Sequence, residues 1–164
     1  MSDVSRIRVA CAGATGYAGH ELVCRLVRHP HADLRALAHS PGKPDVPFSA
    51  VYPDLSGVCD LMVVDVNELV TRDDLDAVFL ALPHRTAMRY AAPLRDAGVA
   101  VIDFSADYRL RNAQVYEAWY GVTHEDAARL DTAVYGLTEV YRAAVADADL
   151  IANPGCYPTG ALLP

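Results

Sequence analysis

The 164-residue sequence contains a single lysine and no long apolar run. No stretch reaches the ~18 apolar residues that a membrane-spanning helix needs. The first residues enter a strand pattern without the apolar segment of a signal peptide. The 14 basic residues are outnumbered by 21 acidic ones, and like charges are not clustered, which disfavours nucleic acid and membranes as partners. We therefore expect a cytoplasmic protein with a small-molecule ligand.

The sequence also lacks paired cysteines. Its four cysteines form no CxxC pair and show no metal-ligand spacing, so we expect free thiols and no bound metal. Hydrophobic residues make up 52% of the chain, which is ordinary for a globular domain with a buried core.

What the sequence does contain is an alternation of short apolar runs with amphipathic segments. This pattern predicts an α/β fold, a Rossmann-like, doubly wound and mostly parallel sheet with helices on both faces. The predicted strands are Arg6–Ala12, Asp33–His39, Leu61–Val66, Ala77–Leu82, Ala100–Phe104 and Leu150–Asn153. The predicted helices are Ala18–His29, Arg85–Ala97, Asn112–Tyr120 and one that begins near Tyr157. The segments Pro41–Pro53 and Tyr108–Gly136, apart from that third helix, are expected to be irregular.

The glycine-rich segment GATGYAG, residues 13–19, joins the first predicted strand to the first predicted helix. Small residues at such a junction let backbone amides approach a pyrophosphate at the positive end of the helix. The spacing is GxxGxxG, not the commoner GxGxxG, so the strand–loop–helix context carries the prediction. We predict a dinucleotide-binding loop, and the alternative is a tight turn without a ligand.

The end of the second predicted strand indicates which dinucleotide binds. NAD-preferring folds place an acidic residue there to hold the ribose 2′-hydroxyl. This strand instead ends in His39 and leads into Ser40 and Lys43. A hydroxyl, an imidazolium and the sole lysine suit a 2′-phosphate, so NADP(H) is favoured over NAD(H). The alternative is a solvated loop lysine beside an incidental serine.

The segment ALPHRT, residues 81–86, ends the fourth predicted strand at the same edge of the sheet. Because open α/β sheets bind ligands beyond the carboxyl ends of their strands, Leu82 and Pro83 are candidates to border the nicotinamide. His84 is either an acid–base group or a residue that caps or flanks the next helix.

Cys156 follows a Pro-Gly turn at the carboxyl end of the last predicted strand. Amides at the start of the following helix would favour a thiolate over a thiol, which suits a covalent nucleophile. Cys11 and Cys24 lie within a strand and a helix, where a buried structural thiol is the simpler interpretation. Cys59 has only an acidic neighbour and is expected to be unreactive.

Five stretches of the chain carry a resemblance to a known family. They are GATGYAGHEL (13–22), FLALPH (79–84), VIDFSADYRL (101–110), YGLTE (135–139) and ANPGCYPT (152–159). In this order they resemble the N-acetyl-gamma-glutamyl-phosphate reductase family of arginine biosynthesis, within the semialdehyde dehydrogenase group. Two positions depart from the family pattern: Arg85 stands where the family usually has glycine, and Thr138 where it usually has proline.

The resemblance implies an NADPH-dependent reduction of N-acetyl-gamma-glutamyl phosphate to the semialdehyde through a thioester on Cys156. By matching position, Ser40 would contact the adenosine ribose side, and Pro83 and Ser105 would lie near the nicotinamide. The pyrophosphate would be held by Gly13, Thr15, Gly16, Tyr17, Ala18 and Gly19. Asp103, Asp107 and Arg109 would order the active-site edge, although an ion pair of Asp107 with Arg109 explains those two residues equally well.

The resemblance also implies a domain organisation. Residues 1–151 would form the NADP-binding domain, and residues 152–164 the cysteine turn and the start of a substrate and dimerisation domain. In the family that domain supplies the general base and most substrate contacts, so we expect no turnover by these 164 residues alone and a homo-oligomeric full-length protein. The alternatives are a reductase for a related acyl phosphate, aspartyl or aminoadipyl, and a non-catalytic NADP-binding module.

Overall fold

The computed structural model describes residues 6–163, which form two compact units, one within Met1–Ala81 and one within Leu82–Pro164. Each unit is built from mainly parallel strands and intervening helices. The predicted α/β, Rossmann-like fold class is therefore confirmed.

The first unit contains five strands in the order β3-β4-β2-β1-β5. They are β1 (Ile7–Ala12), β2 (Ala32–His39), β3 (Val46–Pro47), β4 (Met62–Asp65) and β5 (Ala77–Leu80). All neighbours are parallel except β3, which runs antiparallel to β4 at the edge. The helices are α1 (Tyr17–Leu26), α2 (Phe48–Val51) and α3 (Val66–Leu69), with a 3-10 turn at Pro53–Leu55.

The core of the first unit follows from the continuous apolar character of its central strands. The last four residues of β1 and of β2 are all buried, as expected for parallel strands covered on both faces. Val23 of α1 and Phe48 of α2 are fully buried and belong to one hydrophobic cluster with Cys11 and Leu37. This packing fixes the carboxyl ends of β1 and β2, where the predicted ligand-binding segments begin.

The second unit is a three-stranded parallel sheet with β8 in the centre. Its strands are β6 (Ala100–Asp103), β7 (Val134–Tyr135) and β8 (Leu150–Ala152). Its helices are α4 (Ala87–Asp96), α5 (Ala113–Tyr120), α6 (Thr138–Ala146) and α7 (Cys156–Leu162), with a 3-10 turn at Ala127–Arg129. The loops after β6 and β8 carry the polar residues of the candidate functional site.

All six predicted strands are present, but the two-residue strands β3 and β7 were not predicted. The prediction also missed α6, which has no buried residue and whose helical backbone is interrupted at Tyr141 (φ −113°, ψ 26°). Within Pro41–Pro53, which was expected to be irregular, the structure has β3 and α2. The last predicted helix, expected to begin near Tyr157, begins one residue earlier and spans Cys156–Leu162. Among residues 6–163, no helix has the length and hydropathy that a bilayer crossing requires.

Candidate functional site

The two outer glycines of the 13–19 loop are required by the packing of the loop itself. Gly13 has a φ of +82°, and a Cβ there would lie 2.2 Å from the carbonyl oxygen of Ala81. A Cβ on Gly19 would lie 2.1 Å from the carbonyl oxygen of Gly13. Because both obstacles are backbone atoms, neither position tolerates a side chain without moving the main chain.

The middle glycine is different, because little of the protein opposes a side chain there. A Cβ on Gly16 would approach only the Gly13 carbonyl oxygen, at 3.4 Å, and Gly16, Tyr17 and Ala18 are all exposed. Gly16 is the N-cap of α1, and no side chain caps that helix. The first N–H groups of a helix have no partner inside it, so this helix start fits an anionic group such as a pyrophosphate.

An aromatic pair supports this loop from the segment that was expected to be irregular. The Tyr52 hydroxyl donates a hydrogen bond of 3.0 Å to the carbonyl oxygen of Thr15. The Tyr52 ring stacks on His20 of α1 at a centroid distance of 4.0 Å and also meets the buried Phe48 at 5.1 Å. Sequence reasoning missed these residues. The available signal was the spacing of Phe48 and Tyr52, four residues apart, which is that of one helix face.

The turn after β2 carries Ser40, which is half-buried, and Lys43, which is exposed. The Gly42 N–H donates to the Asp65 carboxylate at 3.0 Å, and that carboxylate also accepts from the backbone and side-chain nitrogens of Asn67. These hydrogen bonds lower the pKa of Asp65, and those from the backbone amides of Asn67 and Gly42 have the largest effect. Strand β4 thus brings an acid to this turn, which sequence reasoning missed, and both its oxygens are bonded to the protein.

At the start of the second unit, Leu82 is buried, while Pro83, His84 and Arg85 are exposed. Arg85 has a φ of +71° and is the sole non-glycine residue at positive φ among residues 6–163. That is the conformation glycine adopts most readily, which explains a preference for glycine at this position. Arg85 is held by two hydrogen bonds, from its N–H to Asp107 and from its guanidinium to the carbonyl oxygen of Tyr120.

Asp107 is a fully buried carboxylate that caps α4 from a distant loop. It accepts hydrogen bonds from the N–H of Arg85 at 2.7 Å, the N–H of Met88 at 3.1 Å and the hydroxyl of Tyr116 at 2.7 Å. Asp107 therefore satisfies the Met88 N–H in the first turn of α4 and the Arg85 N–H just before the helix, a capping role for which sequence reasoning considered His84. The His84 ring lies exposed near Tyr120, with a centroid distance of 5.7 Å.

A second buried carboxylate, Asp103, ends β6 and joins the same network. It accepts from the Ser105 N–H at 2.8 Å and from the Ser105 hydroxyl at 2.7 Å, while that hydroxyl accepts from the Asp107 N–H at 3.0 Å. Burial, reinforced by the nearby Asp107, raises the pKa of Asp103 to about 7. Ser105, predicted to lie near the nicotinamide, thus has its hydroxyl engaged between two aspartates.

Arg109 ties the loop after β6 to the turn that precedes Cys156. Its guanidinium donates to the carbonyl oxygens of Asn153 and Phe104, each at 2.8 Å. A Cβ on Gly155 would lie 3.0 Å from Nη1 of Arg109, so glycine allows the guanidinium to approach the turn closely. Asp107 and Arg109 have separate partners, and these hydrogen bonds hold the loop in place of the ion pair that the sequence had allowed.

Cys156 is the first residue of α7 and is exposed, with Gly155 as an extended N-cap. The other cysteines differ in burial: burial raises the pKa of Cys11 to about 12 and also raises that of Cys59. Cys24 is half-buried, with its sulfur 3.5 Å from Nε2 of His20. All four are free thiols, and Cys156 is the accessible one at the carboxyl end of a strand.

The predicted site residues divide between the two units. The glycine loop, Ser40 and Lys43 lie in the first unit, and Leu82, Pro83, Ser105 and Cys156 lie in the second. Within the described part of the chain, no cluster of three or more His, Cys, Asp or Glu residues is placed to hold a metal ion.

Comparisons with known proteins show which family the chain belongs to. Residues 8–148 match the family model described as "Semialdehyde dehydrogenase, NAD binding domain". Two relatives named N-acetyl-gamma-glutamyl-phosphate reductase come from Heliobacterium modesticaldum and Rhodopirellula baltica. The first is 48% identical, and the alignment covers 96% of this chain and 44% of the relative. The second is 40% identical, and the alignment covers 98% of this chain and 46% of the relative.

The chain therefore spans about half the length of the curated relatives it matches. Among solved structures, aspartate semialdehyde dehydrogenase II from Vibrio cholerae superposes with a TM-score of 0.67 at 21% identity, over 96% of this chain and 44% of that one. That likeness concerns the fold. Since the family model matches most of the sequence, the chain belongs to the NAD-binding domain family of the semialdehyde dehydrogenases.

Proposed function

We propose that these residues form the NADPH-binding part of an enzyme that reduces N-acetyl-gamma-glutamyl phosphate to N-acetylglutamate 5-semialdehyde in arginine biosynthesis. The observation that carries the proposal is the exposed Cys156, which begins a helix directly after a Pro-Gly turn. It stands in a chain whose relatives with that name are 40–48% identical over nearly its whole length. The enzyme would act in the cytoplasm as a homo-oligomer.

The cofactor would be held at two places in the first unit. The open start of α1, with Gly13, Thr15, Gly16, Tyr17, Ala18 and Gly19, would bind the pyrophosphate. Ser40 and Lys43 would bind the 2′-phosphate, because Lys43 supplies a positive charge and Asp65 is already engaged by protein N–H groups. This arrangement favours NADP(H) over NAD(H). In the second unit, Leu82, Pro83 and Ser105 would border the nicotinamide.

Cys156 would act as the nucleophile of a two-step reduction. Its thiolate attacks the acyl carbon, a carbon–sulfur bond forms, and the carbon–oxygen bond to the phosphate breaks, which releases inorganic phosphate and leaves a thioester. NADPH, when bound, would supply a hydride to the thioester carbon. Cleavage of the carbon–sulfur bond would then release the aldehyde and regenerate the Cys156 thiolate. Arg109 supports both steps because its hydrogen bond to Asn153 and its approach to Gly155 fix the turn that carries the sulfur.

We assign residues 1–151 to the cofactor domain and residues 152–164 to the cysteine turn that leads into a substrate domain. The general base and most substrate contacts would come from that substrate domain. Positioning a substrate near its nucleophile contributes several kcal/mol to catalysis, so the cofactor domain and the substrate domain would be needed together for turnover.

The reaction is tested by NADPH consumption with N-acetyl-gamma-glutamyl phosphate, using the gene product that carries these residues. Aspartyl phosphate serves as the competing substrate, and Cys156→Ala is compared with Cys59→Ala as a matched control. We expect turnover with the acetylglutamyl substrate, loss of turnover in Cys156→Ala and retention in Cys59→Ala. Full activity of Cys156→Ala would refute the nucleophile, and a preference for aspartyl phosphate would refute the substrate.

A further inference from the structure

His39 is a buried histidine at the end of β2, directly before the turn that runs from Ser40 to Asp45. The residue is only 1% exposed. Its Nε2 is the one buried side-chain nitrogen or oxygen among residues 6–163 that lacks a hydrogen-bond partner. A buried polar atom without a hydrogen-bond partner lowers the stability of the fold, which suggests that this nitrogen has another role.

The proton of the neutral His39 ring can be assigned from its surroundings. Nδ1 lies 2.9 Å from the carbonyl oxygen of Ser40. A carbonyl oxygen can only accept a hydrogen bond, so Nδ1 carries the proton and donates it. In the neutral ring Nε2 is then an acceptor with an unused lone pair.

The unsatisfied nitrogen faces a carboxylate. Oδ1 of Asp45 lies 3.7 Å from Nε2, and the Asp45 side chain is 49% exposed, which leaves it free to move. Two acceptors cannot form a hydrogen bond with each other, whereas a proton on Nε2 would create a charge-assisted pair. Asp65, paired with His39 across strands β2 and β4, is the other acidic group near the ring.

The same turn carries Lys43, the proposed contact for the 2′-phosphate. An unpaired Asp45 carboxylate two residues away repels a phosphate dianion, and pairing with a protonated His39 offsets that repulsion. By linkage, a phosphate that favours the protonated ring also promotes proton uptake when it binds. The charge state of His39 therefore couples to the binding of a phosphorylated ligand.

We propose that His39 is a specificity-determining positioning residue: protonated at Nε2, it draws Asp45 inward and sets the Ser40–Asp45 turn to accept a 2′-phosphorylated dinucleotide. The inference rests on the proposed NADP(H) function of this turn. Lys43 and His39 then have different roles in binding the 2′-phosphate. Lys43 attracts the phosphate, whereas His39 neutralises the competing negative charge of Asp45.

The test is calorimetric titration with NADP⁺ and NAD⁺ between about pH 6.5 and 8.5, the upper part of the range in which histidine ordinarily changes charge. The 2′-phosphate is mostly dianionic above about pH 6, so its own titration contributes little there. Two buffers with different ionisation enthalpies report proton uptake. His39→Asn keeps an N–H for the Ser40 carbonyl but has no Nε2. Asp45→Asn removes the partner from an exposed position, and Asp54→Asn, in the 3-10 turn Pro53–Leu55, is the charge-matched control outside the Ser40–Asp45 turn.

In the wild type we expect NADP⁺ affinity to fall by about tenfold as the pH rises, the scale of one charge-assisted contact. Proton uptake should accompany binding, and NAD⁺ affinity should stay flat. His39→Asn should bind NADP⁺ at every pH as weakly as the wild type does at high pH. Asp45→Asn should bind NADP⁺ at every pH as tightly as the wild type does at low pH. Asp54→Asn should follow the wild type. Ring ¹⁵N spectra should show Nε2 of His39 protonated in the NADP⁺ complex.

A wild-type pH profile in both His39→Asn and Asp45→Asn, or an unprotonated Nε2 in the complex at low pH, would overturn the inference. If His39→Asn does not fold, the exposed Asp45→Asn variant and the ring spectra still decide. A wild-type protein that does not prefer NADP⁺ over NAD⁺ would refute the proposed function, and the inference with it. A clear preference for NADP⁺ without the His39-dependent profile would refute the inference alone.

Discussion

The glycine loop of the first unit and the polar loop after β6 in the second unit reach a fixed shape by opposite means. The glycine loop relies on backbone atoms so close together that no side chain fits at Gly13 or Gly19. The β6 loop relies on buried side chains, with Asp103, Ser105 and Asp107 hydrogen-bonded to one another and to nearby N–H groups. The loop that we propose to bind a pyrophosphate thus excludes side chains at its closest backbone contacts, whereas the loop in the unit of the proposed nucleophile is built from them.

The largest expected effect is a loss of stability with rising pH, which arises from Asp103 in the polar loop. The folded-state pKa of Asp103 is raised from 3.8 to about 7, so the folded protein binds a proton more tightly than the unfolded chain does. Protonation of Asp103 therefore contributes up to about 4 kcal/mol to the free energy of unfolding. This contribution is fully present below about pH 4 and is lost as the pH rises through 7. Urea unfolding between these pH values should show that decline in the wild type.

Asp103→Asn is the control for this prediction, because its amide cannot ionise and its oxygen still accepts from Ser105. The free energy of unfolding of Asp103→Asn should decline less between pH 4 and pH 7 than that of the wild type. Parallel pH profiles for the two proteins would contradict the assignment.

The second prediction tests the glycine loop. Gly19→Ala places a methyl group against the Gly13 carbonyl and should destabilise the first unit by about 3 kcal/mol, the upper range for overpacking. Gly16→Ala has room for its methyl group and should change the free energy of unfolding by less than about 1 kcal/mol. It should nevertheless weaken cofactor binding, because the methyl group covers the open start of α1. Equal destabilisation by the two variants would show that loop packing does not distinguish these glycines.

The third prediction removes the long-range cap of α4. Asp107→Ala leaves the N–H groups of Arg85 and Met88 and the hydroxyl of Tyr116 without their acceptor, which should cost about 2 to 3 kcal/mol of stability. Asp107→Asn retains one acceptor oxygen and should lie between Asp107→Ala and the wild type. Thermal unfolding measures the effect, and a loss below about 0.5 kcal/mol in Asp107→Ala would mean that the cap is dispensable.

The smallest effect concerns Arg85, whose positive φ suits glycine. Arg85→Gly should raise the stability by about 1 kcal/mol through relief of backbone strain, less the lost hydrogen bond to Tyr120. Arg85→Ala loses the same hydrogen bond and keeps the strain, so it should be less stable than the wild type. If Arg85→Ala were as stable as Arg85→Gly, the strain at this position would be negligible.

The same comparison shows what can be predicted from sequence. The strand–loop–helix arrangement of residues 13–19 could be predicted because a buried strand, a glycine-rich turn and a helix follow one another directly along the chain. The turn and helix start at Cys156 could be predicted for the same reason, since the strand, the Pro-Gly turn and the helix are contiguous. The continuous apolar runs of β1 and β2 predicted their burial on both faces.

The supporting residues could not be predicted because their partners are far away in sequence. Asp107 caps a helix that begins 20 residues earlier in the chain, and Arg109 donates to Asn153, which lies 44 residues later. Tyr52 supports Thr15 across 37 residues. Helix α6 escaped prediction for a different reason, since its nine residues are interrupted by the non-helical backbone of Tyr141. Long-range hydrogen bonds leave no periodic signal in a single sequence.

The preference for NADP(H) over NAD(H) is measured by calorimetric titration with NADP⁺ and NAD⁺ at neutral pH, on the wild type and on Lys43→Ala. We predict that NADP⁺ binds more tightly than NAD⁺, and that Lys43→Ala weakens NADP⁺ binding by about 1 to 2 kcal/mol, the scale of one charge-assisted contact, with almost no effect on NAD⁺. Equal or reversed affinities in the wild type, or the same loss for both dinucleotides in Lys43→Ala, would contradict the account.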